Sequence, residues 1–213
     1  MKKVLIAALA ASLILLCGCG ETETGEDVKT VTPIDAGISV DNLTDATFAG
    51  SFDGSSISED NGTYSLDVEV FAEEFFDAVA VTELKAGDKL VAGGTEYVVE
   101  TVERADSGLV SINGGQEQGG IDLSTDDEGG VFFVEGMDNS HTYSDLGRAT
   151  LALAEDFVLT DNSDLDNPNK KYNAEEFKTL LGDDSNSYGF NRVNTTVKVD
   201  NGEITEIHRI FQP

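Results

Sequence analysis

The feature that most constrains the fold is a series of short apolar segments separated by glycines. Residues 63–71 alternate polar and apolar side chains, which is the two-residue period of a strand with one buried face. Residues 89–92 and 95–99 flank Gly93-Gly94, a pattern typical of a β-hairpin with a two-residue turn. Strands this short predict a mainly β domain, either a small barrel or a sandwich, with an α+β arrangement as the alternative. Further strands are predicted at 109–112, 131–134, 149–153 and 157–159.

One short C-terminal helix is predicted after Asn173. Asn173 and Glu176 have the spacing of a capping box, and Gly182 stands where such a helix would end. The alternative is a polar loop in which this pattern occurs by chance. A second short helix is predicted at residues 71–78. The face of the C-terminal helix that we expect to pack on the sheet carries Phe177, Leu180 and Leu181.

The C-terminal segment predicts a β-hairpin whose turn is Asp200-Asn201-Gly202. Two registers are open, and they place opposite side chains on the buried face. A type I′ turn places Glu206 and His208 on the face of Val197. A type I turn with a bulge at Gly202 places Ile207 there instead. We favour the second register because it buries fewer charges, and it makes His208 a surface residue.

The charge balance excludes one large class of partners. The chain has 13 Lys and Arg against 41 Asp and Glu, a net charge of −28. Binding to nucleic acid requires basic residues that neutralise phosphates, so a nucleic-acid partner is not expected. Anionic lipid headgroups and polyanionic wall polymers are disfavoured for the same reason. Two interpretations remain: a self-repelling surface that keeps the protein soluble, or an acidic surface that binds cations.

Acidic residues form two dense groups in the sequence. Asp161, Asp164 and Asp166 could supply oxygen ligands to a weak calcium site, although Pro168 and Asn169 break the EF-hand pattern that would start at Asp164. The alternative is a solvated loop whose Asp and Asn side chains form turns. In the second group, paired carboxylates could hydrolyse a glycoside, but chance pairs are frequent among so many carboxylates. That group comprises Asp122, Asp126, Asp127 and Glu128.

Candidates for nucleophilic catalysis are few, because the chain has only two histidines. Ser140-His141 with Asp145 nearby is the one local group that is similar to a triad. Triads assemble in space, so adjacency in sequence is weak support, and a polar loop that leads into a strand explains the same residues. Residues 113–120 are rich in glycine but lack the Gly-Lys-Ser/Thr ending of a phosphate-binding loop. They are expected to form turns or a mobile loop at a barrel mouth.

The N-terminal residues predict an export signal. A basic start, Met1-Lys2-Lys3, precedes an apolar run over residues 4–16 that is too short to span a membrane. The run ends in Leu16-Cys17-Gly18-Cys19, which resembles the lipobox of bacterial lipoproteins. That resemblance implies that residues 1–18 are a signal peptide, that Cys19 carries a diacylglyceryl group, and that cleavage leaves Cys19 as the N-terminus. Two acyl chains on one thiol would give stable anchoring.

The predicted organisation follows from this signal. Residues 19–45 contain few large apolar side chains, so we expect an acidic flexible tether. Residues 46–213 are expected to fold as a β-rich domain, with 46–146 and 147–213 as possible subdomains. Since Cys19 would be the only cysteine left, no internal disulfide is expected. The mature domain resembles no characterised family.

Three hypotheses for function remain at this point. The first is a non-catalytic binding or structural domain of the bacterial cell envelope, with a protein or glycan partner and no cofactor. The second is a calcium-assisted adhesion or carbohydrate-binding module. The third is a hydrolase. In each case the lipid would hold the chain at the outer face of the cytoplasmic membrane, or at the outer membrane if the cell has two membranes.

Overall fold

The computed structural model describes residues 27–125, 129–136, 141–183 and 189–212. The proposed signal peptide and Cys19 lie outside these residues. The described residues confirm the predicted mainly β fold with a short C-terminal helix. The strands are β1 (Thr30–Val31), β2 (Ala46–Ser51), β3 (Ile57–Asp60), β4 (Thr63–Glu73), β5 (Phe76–Asp77), β6 (Lys89–Ala92), β7 (Thr95–Val98), β8 (Val102–Arg104), β9 (Val110–Ile112), β10 (Ile121–Thr125), β11 (Val131–Val134), β12 (Tyr143–Asn162), β13 (Lys170–Tyr172), β14 (Thr195–Asp200) and β15 (Glu203–Ile210). The helices are α1 (Ala78–Thr82) and α2 (Ala174–Leu181), and Gln116–Gln118 form a 3₁₀ turn.

Five strands form a closed barrel because β12 is long enough to pair with two neighbours. Its first half pairs antiparallel with β4, beginning at Tyr143 opposite Glu73. Its second half pairs in parallel with β15, ending at Asn162 opposite Ile210. The remaining pairs are β15 with β14, β14 with β2, and β2 with β4. Counting these five strands in chain order, the barrel order is 1-2-3-5-4 and back to 1, with α2 between the third and fourth strands, which is the arrangement of the OB-fold, a five-stranded Greek-key barrel.

The barrel core follows from the alternation in β4. Leu66, Val68 and Val70 point inward and are fully buried. Helix α2 adds Phe177, whose ring lies 5.4 Å from the ring of Phe157 and is also fully buried. The predicted capping box is confirmed, because Asn173 Oδ1 accepts from the backbone of Glu176 and Glu176 Oε2 accepts from the backbone of Asn173. The capping box thus fixes the start of α2, and the packing of Phe177 on Phe157 buries the helix against the barrel core.

A second hydrophobic core lies in the segment between β4 and β12, which we call the insert (residues 74–142). Strands β5, β11, β10, β9 and β8 form one antiparallel sheet, and β6 and β7 form the predicted hairpin. Strand β1 joins this hairpin in parallel with β6. The core side chains come from both sheets and from α1, and include Phe76, Val81, Leu90, Ile112 and Leu123.

The predicted organisation differs from the structure in two respects. The predicted tether, 19–45, does not extend over residues 30–45, because Val31 is buried in the core of the insert and Leu43 in that of the barrel. A few apolar residues are enough to hold this segment against the domain, because each of them is buried in a core that other strands form. The division into 46–146 and 147–213 also differs, because the barrel takes strands from both sides of the insert.

Local predictions were wrong at three points. Residues 71–78 begin as strand, and helix α1 starts only at Ala78, with Asp77 as its N-cap. The strands predicted at 149–153 and 157–159 are parts of the single strand β12. The C-terminal turn is type I′, since Asn201 and Gly202 have φ of 53° and 81°.

The face predicted for Ile207 is nevertheless confirmed. The register shifts between Lys198 and Val199, and this irregularity returns Ile207 to the position opposite Val197. Both side chains are fully buried. A bulge thus corrects the face that the type I′ turn alone would have given. His208 is partly buried, and its Nε2 lies 2.8 Å from Nδ2 of Asn162, which differs from the surface position predicted for it.

Candidate binding site

Three adjoining hollows meet at Phe71 and Arg192, between the barrel and the insert. The first has a volume of about 530 Å³ and includes the outer faces of β2 and β4. The second, about 840 Å³, reaches the β6–β7 turn and the start of β12. The third, about 270 Å³, adjoins Ser51 and Glu69. We call this continuous groove the junction cleft.

The floor of the junction cleft follows from strand alternation. Val70 points into the barrel, so its neighbour Phe71 points outward, where it is only 6% exposed. The walls of the first hollow include Ile38, Phe75 and Ile210. This part of the cleft is therefore mostly apolar, which is typical of small-molecule sites.

Arg192 is the cation of the junction cleft. Its guanidinium carbon lies 5.3 Å from the centre of the Phe71 ring, within the range of a cation–π contact. The turn that carries it is held by side chains on either side. Asn191 Oδ1 accepts from the backbone of Val193 at 3.0 Å, and Asn194 Oδ1 accepts from the backbone of Asn191 at 3.0 Å. This turn places the guanidinium over the cleft.

The carboxylates around the cleft already have partners. Glu69 accepts from Nη2 of Arg148 at 2.8 Å. Glu73 Oε1 contacts Nδ1 of His141, and Asp145 Oδ1 accepts from the backbone of Gly147 at 2.8 Å. Among the described residues, by contrast, Arg192 has no ion pair with a carboxylate. The backbone bond of Asp145 leaves its negative charge in place, so the cleft holds charges of both signs. Arg192 is its cation without a carboxylate partner among the described residues.

Tyr143 lines two of the three hollows. Burial raises the pKa of its phenol, the negative charge of Glu73 raises it further, and Arg192 opposes the shift. The phenol therefore stays protonated at neutral pH and can donate a hydrogen bond.

A buried carboxylate ties the two halves of the cleft together. Glu74 is 2% exposed. Its Oε2 accepts from the backbone of Gly93 at 2.7 Å, and its Oε1 accepts from Oγ of Ser144 at 2.7 Å. These bonds attach the β6–β7 turn of the insert to β12 of the barrel. The shape of the cleft is fixed by this attachment.

The structure does not bring the predicted calcium ligands together. Asp161 is 4% exposed and accepts from Nε of Arg209 at 2.9 Å. Asp164 pairs with Lys170 at 3.2 Å and also accepts from the backbone of Asp166. Over the described ranges, no group of three or more His, Cys, Asp and Glu side chains is arranged to hold a metal ion. Asp161 is thus the acidic partner of a buried ion pair with Arg209.

The predicted catalytic residues His141 and Asp145 both line the second hollow, but each has another partner. His141 contacts Glu73, while the Asp145 oxygen described above accepts from its own turn. Ser140 lies outside the described residues, as do Asp126, Asp127 and Glu128. Asp122 accepts from Oγ of Ser111 at 2.5 Å and from the backbone of Gln116, and so fixes the glycine-rich turn.

Sequence reasoning missed Phe71, Glu73 and Arg192. Glu73 and His141 are 68 residues apart, so no local pattern could have joined them. The comparisons add no further residue: no protein-family model matches the chain, and no curated protein or solved structure matches it significantly. No helix among the described residues is long and apolar enough to cross a membrane.

Proposed function

We propose that this chain is a lipid-anchored, extracytoplasmic domain of the bacterial cell envelope that binds a small ligand without transforming it. The ligand lies in the junction cleft, and the lipid is carried by Cys19. The observation that supports binding is the cleft itself, where an apolar floor at Phe71 meets Arg192, a cation that pairs with no carboxylate of the described residues. A mostly apolar hollow with a small number of convergent polar groups is characteristic of ligand sites.

The OB-fold arrangement does not by itself assign a ligand, because one fold serves many functions. Nucleic acid is opposed by the net charge of −28. The proposal therefore rests on the chemistry of the cleft.

Binding can be tested by following backbone amide NMR signals of the purified protein while envelope-derived saccharides, peptides and organic acids are added. We expect one class to shift signals from both sides of the cleft, such as Ala49 and Gly93. If no class shifts these signals, the binding proposal is wrong and a structural role remains. Release of a product from any added compound would favour the hydrolase hypothesis instead.

Anchoring can be tested separately by cell fractionation. Cys19→Ala should abolish lipid labelling and release the protein from the membrane. Cys17→Ala is the matched control and should keep both properties, because only Cys19 has the lipobox spacing. The opposite result would refute the assignment of the lipidated cysteine.

A further inference from the structure

We propose that the ligand of the junction cleft is a small organic monocarboxylate with an apolar body. Its carboxylate binds Arg192, and its hydrocarbon part lies on Phe71 and the apolar walls of the first hollow. This inference rests on the proposed function, because it names the ligand class of the same cleft.

The first argument is the distribution of charge partners among the four arginines. Arg148 binds Asp67 and Glu69, and Arg209 binds Asp161. Arg104 donates to the backbone carbonyls of Thr82 and Leu84. Arg192 contacts the Phe71 ring, and the described part of the chain gives it no carboxylate. An arginine that pairs with none of the described carboxylates is available to an external anion.

The second argument is the number of donors. A guanidinium presents a planar pair of N–H groups that fits one carboxylate. Phosphate sites usually add a lysine or several backbone N–H groups at a helix N-terminus. No lysine and no helix terminus lines the cleft within the described residues. The large negative net charge also repels a dianion more strongly than a monoanion.

The third argument is the apolar surface next to the charge. Ile38, Phe75 and Ile210 border the first hollow beside Phe71. Its volume of about 530 Å³ lies within the range of small-molecule sites. Tyr143 lines the same hollow, and its protonated hydroxyl is a candidate for a second hydrogen bond to the carboxylate. A carboxylate with a short aliphatic or aromatic body would pair with Arg192 and bury its apolar part against these side chains.

The test compares charged and neutral probes of the same shape. Hexanoate and benzoate are titrated into the purified full-length protein at low salt, alongside hexanamide, benzamide and inorganic phosphate, with binding followed by amide NMR. We expect both carboxylates to bind at the cleft more tightly than their amides, and phosphate not to bind there. Arg192→Gln should weaken carboxylate binding about tenfold or more and leave amide binding unchanged. The carboxylate affinity of Arg192→Lys should lie between those of the wild-type protein and Arg192→Gln, because a lysine keeps the charge but loses the planar pair of donors.

Lys171→Gln is the matched control, since Lys171 is exposed on β13 and lines none of the three hollows. It should change carboxylate binding by less than about twofold. Equal loss in Arg192→Gln and Lys171→Gln would overturn the proposal, since it would show a general field effect. Equal affinity of acid and amide, or preferred binding of phosphate, would overturn it as well. In those cases the cleft still binds ligands, and only the ligand class is wrong. The binding function itself fails only if no compound of any class shifts the cleft signals.

Discussion

The barrel and the insert reach similar burial by different routes. The barrel core is assembled from β2, β4, β12, β14 and β15, which lie on both sides of the insert in the sequence. Most of the insert core comes from neighbouring hairpin strands, but β5 pairs with the distant β11, and Val31 comes from outside the insert. The barrel also buries an ion pair, whereas the insert uses side-chain bonds to backbone at its turns. The barrel thus depends mainly on strand pairs that are distant in sequence, and the insert mainly on neighbouring strands and the turns between them.

The largest effects should come from matched aromatic truncations in the two cores. Phe177 and Phe76 are both fully buried, the first in the barrel and the second in the insert. Phe177→Ala and Phe76→Ala should each lower the free energy of unfolding by about 3–5 kcal/mol. Hydrogen exchange should then accelerate mainly in the truncated half. Equal acceleration in both halves for both variants would show one cooperative core and break the comparison.

The buried ion pair should give the next largest effect. Asp161→Asn leaves Arg209, which is 2% exposed, without its counter-charge, and should cost about 3 kcal/mol in urea unfolding. Asp67→Asn, which removes an exposed partner of Arg148, is the control and should cost less than about 1 kcal/mol. Equal costs would show that burial of the pair has no energetic consequence.

The same pair predicts a pH dependence of stability. Burial opposes ionisation of Asp161, but hydrogen bonds from Arg209 and Ser163 outweigh burial and lower its pKa. The folded state therefore binds this proton more weakly than the unfolded state. The resulting stabilisation is present above the unfolded pKa of about 3.9 and is lost as the pH falls through the lower folded value. Thermal melts of Asp161→Asn should lack this component of the acid sensitivity that the wild-type protein shows.

A smaller contrast concerns two asparagines that bind backbone. In the insert, Asn113 accepts from the backbone of Glu100 and Thr101 and donates to Val98. In the barrel, Asn173 caps α2. Asn113→Ala should cost about 2 kcal/mol because it leaves several groups unpaired, and Asn173→Ala about 1 kcal/mol. Chemical denaturation measures both, and a larger cost at Asn173 would reverse this part of the comparison.

The smallest effect is expected from calcium. Since Asp161 already binds Arg209, millimolar calcium should raise the melting temperature no more than sodium at the same ionic strength. Asp164→Asn combined with Asp166→Asn should leave both responses equal. A calcium-specific rise that this double variant removes would restore the calcium-assisted hypothesis.

Features that depend on a few neighbouring residues could be predicted from the sequence. The alternation in β4, the Gly93-Gly94 hairpin and the Asn173–Glu176 box each occupy a short window. The parallel pairing of β12 with β15 could not be predicted, because nothing local specifies a partner 48 residues away. Arg192 was missed for a related reason: its contact with Phe71, and its lack of a carboxylate partner among the described residues, arise only in the folded chain.

The pairing of Glu73 with Tyr143 has a consequence for the order of folding. These residues are direct neighbours across β4 and β12, although the whole insert separates them in the sequence. Closing an unfolded loop of that length costs on the order of 3 kcal/mol more than closing a two-residue turn. An insert that folds first brings both ends together and removes that cost, so we expect its hairpins to form early. Pulse-labelling during refolding should then protect Leu90 and Ile112 before Leu66 and Ile207, and the reverse order would show that the barrel closes around an unfolded loop.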